Sequence, residues 1–311
     1  MAFDGITIAC MASELNEKLN GGRISKIAQP EADELLLTIK SKVGNFRLLL
    51  SASASLPLVY LTEANKPSPM TAPNFCMLLR KHINGGRILS ITQPSLERIL
   101  RFEIEHLNEM GDLCRKYLIV EIMGKHSNII FCTDTDQIID SIKHVSAQIS
   151  SVREVLPGRD YFIPDTQEKA NPLLIDESSF IALIGSKAAK LSKALYTSLT
   201  GLSPVASEEI CAKASLDSDR AANSYSEEEL THLYRNFVRY LEPIKTAQYE
   251  PAIYYDGNAP IEFSCLPLSL YTHCRREIFP SVSKLLERYY AEKNTLTRIR
   301  QKSTDLRRIV Q

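Results

Sequence analysis

The chain has 311 residues, 44% of them hydrophobic and 24% charged, with Lys plus Arg balancing Asp plus Glu at 37 each. That length supports a sizeable core and more than one domain, and the zero net charge means that a nucleic-acid partner has to be met by local patches rather than by overall basicity. No apolar run approaches the ~20 residues of a membrane span, the start Met1-Ala-Phe-Asp-Gly5 lacks the regions of a signal peptide, and seven scattered cysteines without a CxxC pair fit a reducing compartment better than a disulfide framework or a zinc site.

In chain order, Asp4 is placed to cap a helix whose Ile8, Met11, Leu15 and Leu19 share one face. Strands are predicted at 23–29, 34–40, 46–51 and 59–62, then a proline-rich loop at 66–73. Thr71 or Asn74 starts a second helix over 75–83. Further strands are predicted at 87–92, 98–105, 116–123, 128–132 and 138–143. Residues 1–172 therefore read as an α+β domain, a two-layer sheet structure with two helices, each feeding a matching strand.

That match is visible as a repeat. Leu19-Asn-Gly-Gly-Arg-Ile-Ser-Lys-Ile-Ala-Gln-Pro30 recurs as Ile83-Asn-Gly-Gly-Arg-Ile-Leu-Ser-Ile-Thr-Gln-Pro94. One supersecondary unit used twice explains it, with glycines that end each helix and a strand that follows. The copies diverge beyond the proline. Asp33-Glu34 follows the first, Glu97-Arg98 the second, and an ion-pair-capable dipeptide in one copy only marks a candidate site. Neighbours on a strand point to opposite faces, so the two share a site only if the strand starts at a bulge or turn. Otherwise they are surface charges at a strand end.

Residues 173–248 lose the strand signals and read as all-α. Asp176 precedes one helix, Ser203-Pro204 is a cap with proline at the first helical position, and Ser226-Glu-Glu-Glu229 is a capping box. Leu199-Thr-Gly-Leu-Ser-Pro204 gives helix, glycine turn, helix. Such a helix-hairpin-helix lets backbone approach a phosphate at Gly201 and Ser203, and an ordinary corner between helices reads the same way. Residues 249–280 form a connector with an Asp256-Gly257 hairpin. Residues 281–311 are helical, with an apolar stripe of Leu285, Leu286, Tyr289, Leu296, Ile299, Leu306, Ile309 and Val310. Lys293, Arg298, Arg300, Lys302, Arg307 and Arg308 make this helix basic, as in the start of a coiled-coil arm cut off in a fragment of a longer protein.

A second candidate site is Glu121-Ile-Met-Gly-Lys-His-Ser-Asn128, a strand end followed by a polar tip where Lys125 and His126 could meet phosphate; a solvated turn is the plain alternative. The spacing of a nucleotide-triphosphate loop is absent. No cofactor and no metal are expected.

Phe3-Asp-Gly5, Asn74-Phe-Cys-Met-Leu-Leu-Arg-Lys-His-Ile-Asn-Gly-Gly-Arg-Ile88, Leu96-Glu-Arg-Ile99, the 121–130 segment, Ile139-Asp-Ser-Ile-Lys-His-Val145, Arg153-Glu-Val-Leu-Pro-Gly-Arg-Asp-Tyr161 and Gly201-Leu-Ser-Pro204 closely resemble the NFACT family. Its bacterial members are ribosome quality-control factors of the RqcH type, also labelled fibronectin-binding protein A-like. The resemblance spans the whole chain. It implies an NFACT-N domain similar to the N-terminal domain of formamidopyrimidine-DNA glycosylases, then a helix-hairpin-helix domain and a coiled coil. It further implies a non-enzymatic cytoplasmic factor on the large ribosomal subunit. That factor binds tRNA, alanine tRNA in bacteria, beside a stalled peptidyl-tRNA, and supports alanine tailing. By resemblance, tRNA-handling residues fall on Glu97, Arg98 and Asp4, with Glu121, Lys125, His126, Ser127 and Asn128 beside them. At position 97 this chain carries glutamate where the family has aspartate. The competing classes are a fibronectin-binding adhesin and a glycosylase-like enzyme. The latter needs an N-terminal proline, which Met1-Ala2 does not provide.

Overall fold

The computed structural model describes the backbone of residues 3–165 and 168–310, with side chains as far as residue 296. Helix α1 (Gly5–Leu19) leads into strands β1 (Arg23–Glu31), β2 (Glu34–Ser41), β3 (Gly44–Ser51) and β4 (Leu58–Thr62). Helix α2 (Asn74–Ile83) leads into β5 (Arg87–Thr92), β6 (Ile99–Leu107), β7 (Leu113–Glu121), β8 (Asn128–Thr133) and β9 (Ile138–Ser141). All nine strands join one antiparallel sheet in the order β4-β3-β2-β1-β5-β6-β7-β8-β9.

The repeated phrase sits at the middle of this sheet, where each copy pairs with the other. Gly21 N–H donates to Ile88 O and Gly85 N–H to Ile24 O, both at 2.7 Å; Ile24 N–H donates to Gly86 O and Ile88 N–H to Gly22 O, both at 2.9 Å. The bonds are reciprocal, as across a two-fold interface. Gly21 (φ +75) and Gly85 (φ +78) end their helices in the left-handed region, so the chain turns directly into this seam.

Several boundaries differ from the sequence expectation. Helix α2 does start at Asn74, one of the two expected starts, but with Pro73 at its N-cap and no side-chain cap bond. Strand β7 begins at Leu113, because the ladder with β6 runs out to Leu107↔Leu113, and it ends at Glu121. Strand β6 begins at Ile99, which leaves Glu97 and Arg98 in the preceding turn.

Helices α3 (Glu177–Gly185), α4 (Leu191–Ser198), α5 (Pro204–Lys213) and α6 (Glu227–Lys245) follow, then β10 (Ala252–Asp256), β11 (Ala259–Ser264), β12 (Arg275–Ile278) and α7 (Val282–Val310). The α3–α6 helices enclose their own core, which also takes in Ile6, Ala9 and Leu96. Helix α1 is thus buried on both sides: Ile8, Met11 and Leu15 face the sheet core, and Ile6 and Ala9 the helical one. The connector is not a separate body. Ile253 and Phe263, with Leu285, Leu286 and Tyr289 of α7, share the core of the large sheet. The first turns of α7 are therefore packed, and the Ser283 hydroxyl donates to Glu14 and accepts from Leu61 N–H. The side chains of Arg298, Ile299, Arg300, Lys302, Leu306, Arg307, Arg308, Ile309 and Val310 lie outside the described residues.

A partly buried histidine pair is expected to make stability pH-dependent. His82 of α2 meets His106 of β6 edge-on, ring centroids 6.3 Å apart, and Phe131 at 5.7 Å. His106 Nδ1 lies 3.1 Å from the Leu107 carbonyl and Nε2 lies 3.2 Å from Lys116 Nζ, which suits a neutral ring protonated on Nδ1. Burial pushes both histidines below their ordinary value. Lys116 adds to this at both rings, and the Leu107 bond opposes it at His106. A group lowered by folding contributes stability that is present above its unfolded value, about 6.5, and is lost as pH falls below it. The urea midpoint is expected to drop between about pH 7 and about pH 5, and His106→Gln is expected to flatten that profile. A wild-type midpoint constant over this range would refute it.

Candidate functional site

Three backbone segments from distant parts of the chain meet at one point. Gly5 N–H donates to Gly201 O at 2.9 Å. A Cβ on Gly5 would stand 2.1 Å from the Leu96 carbonyl oxygen, and one on Gly201 only 1.9 Å from the same atom. Gln93 holds the turn around Leu96 by donating to the carbonyls of Gly5 and Glu97, both at 2.8 Å. Residue 170 ties the passage between the two cores to the α4–α5 turn: Ala170 N–H donates to Ser198 O and Thr200 N–H to Ala170 O. The close approach that glycine permits at Gly201 is thus made to Leu96.

A cleft of about 870 Å³ opens over this junction. The N-termini of α1 and α5 reach it together. Asp4 caps α1 by accepting from Thr7 N–H at 3.0 Å, and Ser203 caps α5 by accepting from Ala206 N–H at 3.2 Å. Burial pushes the Asp4 carboxyl up, opposed by hydrogen bonds from Thr7 and from the Ser203 hydroxyl, so the two caps touch. Because Glu97 and Arg98 lie in a turn, both line the cleft instead of pointing to opposite faces of a strand. Glu97 is pushed up by burial, opposed by Lys169 and Arg98; Lys169 is pushed down by burial, opposed by Glu97. Lys169 Nζ donates to the Tyr196 carbonyl at 3.1 Å.

The cleft lining contains Asp4, Glu97, Arg98, Lys125, His126, Ser127, Asn128, Gly201 and Ser203, every residue singled out in the sequence except Glu121. Their surroundings separate them. Lys125 and His126 are exposed on a short 3-10 turn at the rim. Ser127 and Asn128 are buried and hold that rim in shape. Ser127 Oγ accepts from Met123 N–H at 2.8 Å, and Asn128 Oδ1 accepts from Ile129 and Lys143 N–H at 2.9 and 3.1 Å. Glu121 does not face the cleft. It is fully buried, accepting from Arg153 Nη2 and, at 3.0 Å, from the Tyr161 hydroxyl.

Sequence reasoning missed three cleft cations, Lys143, Arg153 and Lys169. Lys143 Nζ donates to the Ala52 carbonyl. None of the three has a spacing relation to Glu97, and each is brought there by tertiary pairing. Arg153 is matched by the buried Glu121, while Lys143 and Lys169 with Arg98 and Lys125 outnumber Asp4, Glu97 and Asp165, so the cleft is locally basic in a neutral chain. Such a cleft with helix N-termini on its floor suits an anionic ligand. Among the described residues no group of three or more His, Cys, Asp or Glu could hold a metal ion, and no helix is long and apolar enough to cross a membrane.

Comparison with known proteins places this architecture. The family of NFACT N-terminal and middle domains matches residues 4–311. The Rqc2 homolog RqcH of Bacillus subtilis is 38% identical over 313 aligned residues, covering 100% of this chain and 52% of that protein. Its counterpart in Streptococcus suis is 32% identical over 98% of this chain and 51% of its own. The chain spans about half the length of these curated relatives. Among solved structures, the N-terminal part of the fibronectin/fibrinogen-binding protein of Streptococcus suis superposes with a TM-score of 0.77 at 31% identity, covering 93% of this chain and 99% of that one. The fibrinogen binding protein of Staphylococcus aureus does so with a TM-score of 0.78 at 29% identity and the same coverage. The chain belongs to the NFACT family and is of the bacterial RqcH type.

Proposed function

We propose that the protein acts in ribosome quality control, holding tRNA in this cleft on a large ribosomal subunit that carries a stalled peptidyl-tRNA. In bacteria the tRNA would be alanine tRNA, and the result untemplated alanine addition to the nascent chain. The protein would supply no bond-forming group; peptidyl transfer stays with the ribosome, and the factor is cytoplasmic and ribosome-associated. The observation that carries this reading is the convergence of Arg98, Lys125 and Lys169 on the N-termini of α1 and α5 in a chain without net charge. The relatives' names supply the setting, including the human ribosome quality control complex subunit NEMF, 24% identical over 172 residues. In this reading residues 1–172 are the NFACT-N domain and 173–248 a helix-hairpin-helix domain built on the α4–α5 turn. Residues 249–280 connect them to a coiled-coil arm beginning at 281.

Sequencing RNA crosslinked to the protein in cells is expected to enrich tRNA. Arg98→Ala is expected to cost about 1–3 kcal/mol of tRNA affinity with little change in unfolding midpoint. Glu97→Asp should retain binding and Glu97→Gln weaken it. Recovery of no tRNA, or an Arg98→Ala protein that unfolds with no specific loss of affinity, would sink the reading.

A second reading, fibronectin or fibrinogen binding, is favoured by the names of the two solved relatives. Surface plasmon resonance on immobilised fibronectin tests it: saturable binding by nuclease-treated protein supports it, and a flat response removes it.

A further inference from the structure

Arg153 differs from the other cleft cations in how it is held. Its Nη2 donates to Glu121 Oε1 and its Nη1 to the Phe162 carbonyl at 2.6 Å, while its guanidinium lies 5.4 Å from the centroid of the Tyr161 ring. The Tyr161 hydroxyl donates to the other Glu121 oxygen at 3.0 Å. The Arg153 side chain is 11% exposed and that of Glu121 0%. The backbone is fixed as well: Val145 and Val155 exchange hydrogen bonds of 3.0 and 2.7 Å across the base of the excursion that carries Arg153. Arg153 nevertheless lines the cleft, beside the exposed Ile149 and Val152.

Two consequences follow from the chemistry. The charge of Arg153 is balanced at contact distance by Glu121, so it adds little to the long-range attraction of phosphates. A guanidinium also carries more N–H donors than these protein partners use, in a planar fork whose direction the buried pair fixes. A neutralised, rigid, partly apolar-walled donor is suited to an uncharged acceptor, a base-edge carbonyl or ring nitrogen, better than to a phosphate.

We propose that Arg153 is the cleft's directional contact to a base edge of bound RNA, and that Glu121 and Tyr161 are positioning residues that act through it. This rests on the tRNA-binding reading of the cleft. It also gives Glu121 a role that its burial allows, since the carboxylate itself has no path to a ligand.

The test is tRNA binding by wild-type protein, Arg153→Lys, Tyr161→Phe and Arg98→Ala across a salt series, with folding checked by circular dichroism. Arg153→Lys keeps the charge and loses the fork. Its affinity is expected to fall about tenfold at every salt concentration, with an unchanged log–log salt slope, because a base contact releases no counterion. Tyr161→Phe loosens the pair and should weaken binding in the same slope-preserving way, and it decides the matter if Arg153→Lys fails to fold. Unchanged affinity in both variants, while Arg98→Ala weakens binding, overturns the role of Arg153 and leaves the tRNA reading intact. A loss that is largest at low salt and fades as salt rises, with a slope smaller by roughly 0.7–0.9, makes Arg153 a phosphate contact and overturns the inference. Wild-type protein that binds no tRNA overturns both.

Discussion

Gly201→Ala is expected to destabilise the protein by about 3–5 kcal/mol, enough to unfold much of a marginal protein. Two costs combine. The residue has φ +76, where an added Cβ costs about 1–2 kcal/mol. That Cβ would also stand 1.9 Å from the Leu96 carbonyl oxygen, a backbone atom in the turn that Gln93 fastens through the Gly5 and Glu97 carbonyls, and one that cannot swing away as a side-chain tip could. Gly257 separates the two costs. It has φ +58 in the β10–β11 hairpin and nothing within 4 Å of a Cβ, so Gly257→Ala should cost only the backbone part, about 1 kcal/mol. Urea denaturation of both variants measures the difference. Equal losses would mean that the three-way junction beneath the cleft is loose, and with it the placement of Glu97 and the two helix caps.

Local signals were legible because the interactions that read them are local. Asp4, Asp176, Ser203 and Ser226 each accept from the backbone three residues on, and Asp256-Gly257 turns a hairpin by its own backbone preference. The repeat showed that one unit is used twice. It did not show that the two copies pair with each other, since that depends on reciprocal bonds between Gly21–Ile24 and Gly85–Ile88. The double burial of α1 was hidden for a similar reason. Ile8, Met11 and Leu15 give the expected apolar stripe, whereas Ile6 and Ala9 look like ordinary helix residues until the helical core covers them.

Within the cleft, polarity in a short motif misled where the polar atoms serve the chain. Ser127 and Asn128 stand beside Lys125 and His126 in sequence, yet they fasten backbone. Lys169 carried no signal at all, because the bonds of Ala170 to Ser198 and Thr200 are what bring it to Glu97.

The deepest such case is Glu121, and the pair it forms can be broken from either side with different results. Arg153→Leu is expected to cost about 3–5 kcal/mol near neutral pH, the range for stranding one partner of a buried ion pair. The Glu121 carboxyl is already pushed up by burial, with Arg153 the first of the opposing influences. Removing Arg153 therefore raises it further. A carboxyl raised by folding contributes stability that is present below its unfolded value, about 4.3, and is lost as pH rises through the folded value. The deficit of Arg153→Leu relative to wild type should accordingly shrink on acidification. The histidine cluster is common to both proteins and drops out of the difference. Glu121→Leu strands the guanidinium instead, but that group borders the cleft and can turn toward water, so its loss should be smaller and should not shrink with acid. The double variant leaves no charge buried and is expected to recover part of the Arg153→Leu loss. Urea unfolding of the three variants at two pH values checks all of this. A loss below about 1 kcal/mol in Arg153→Leu, independent of pH, is the behaviour of an exposed pair, and it would return Glu121 to the list of groups that can reach a ligand directly.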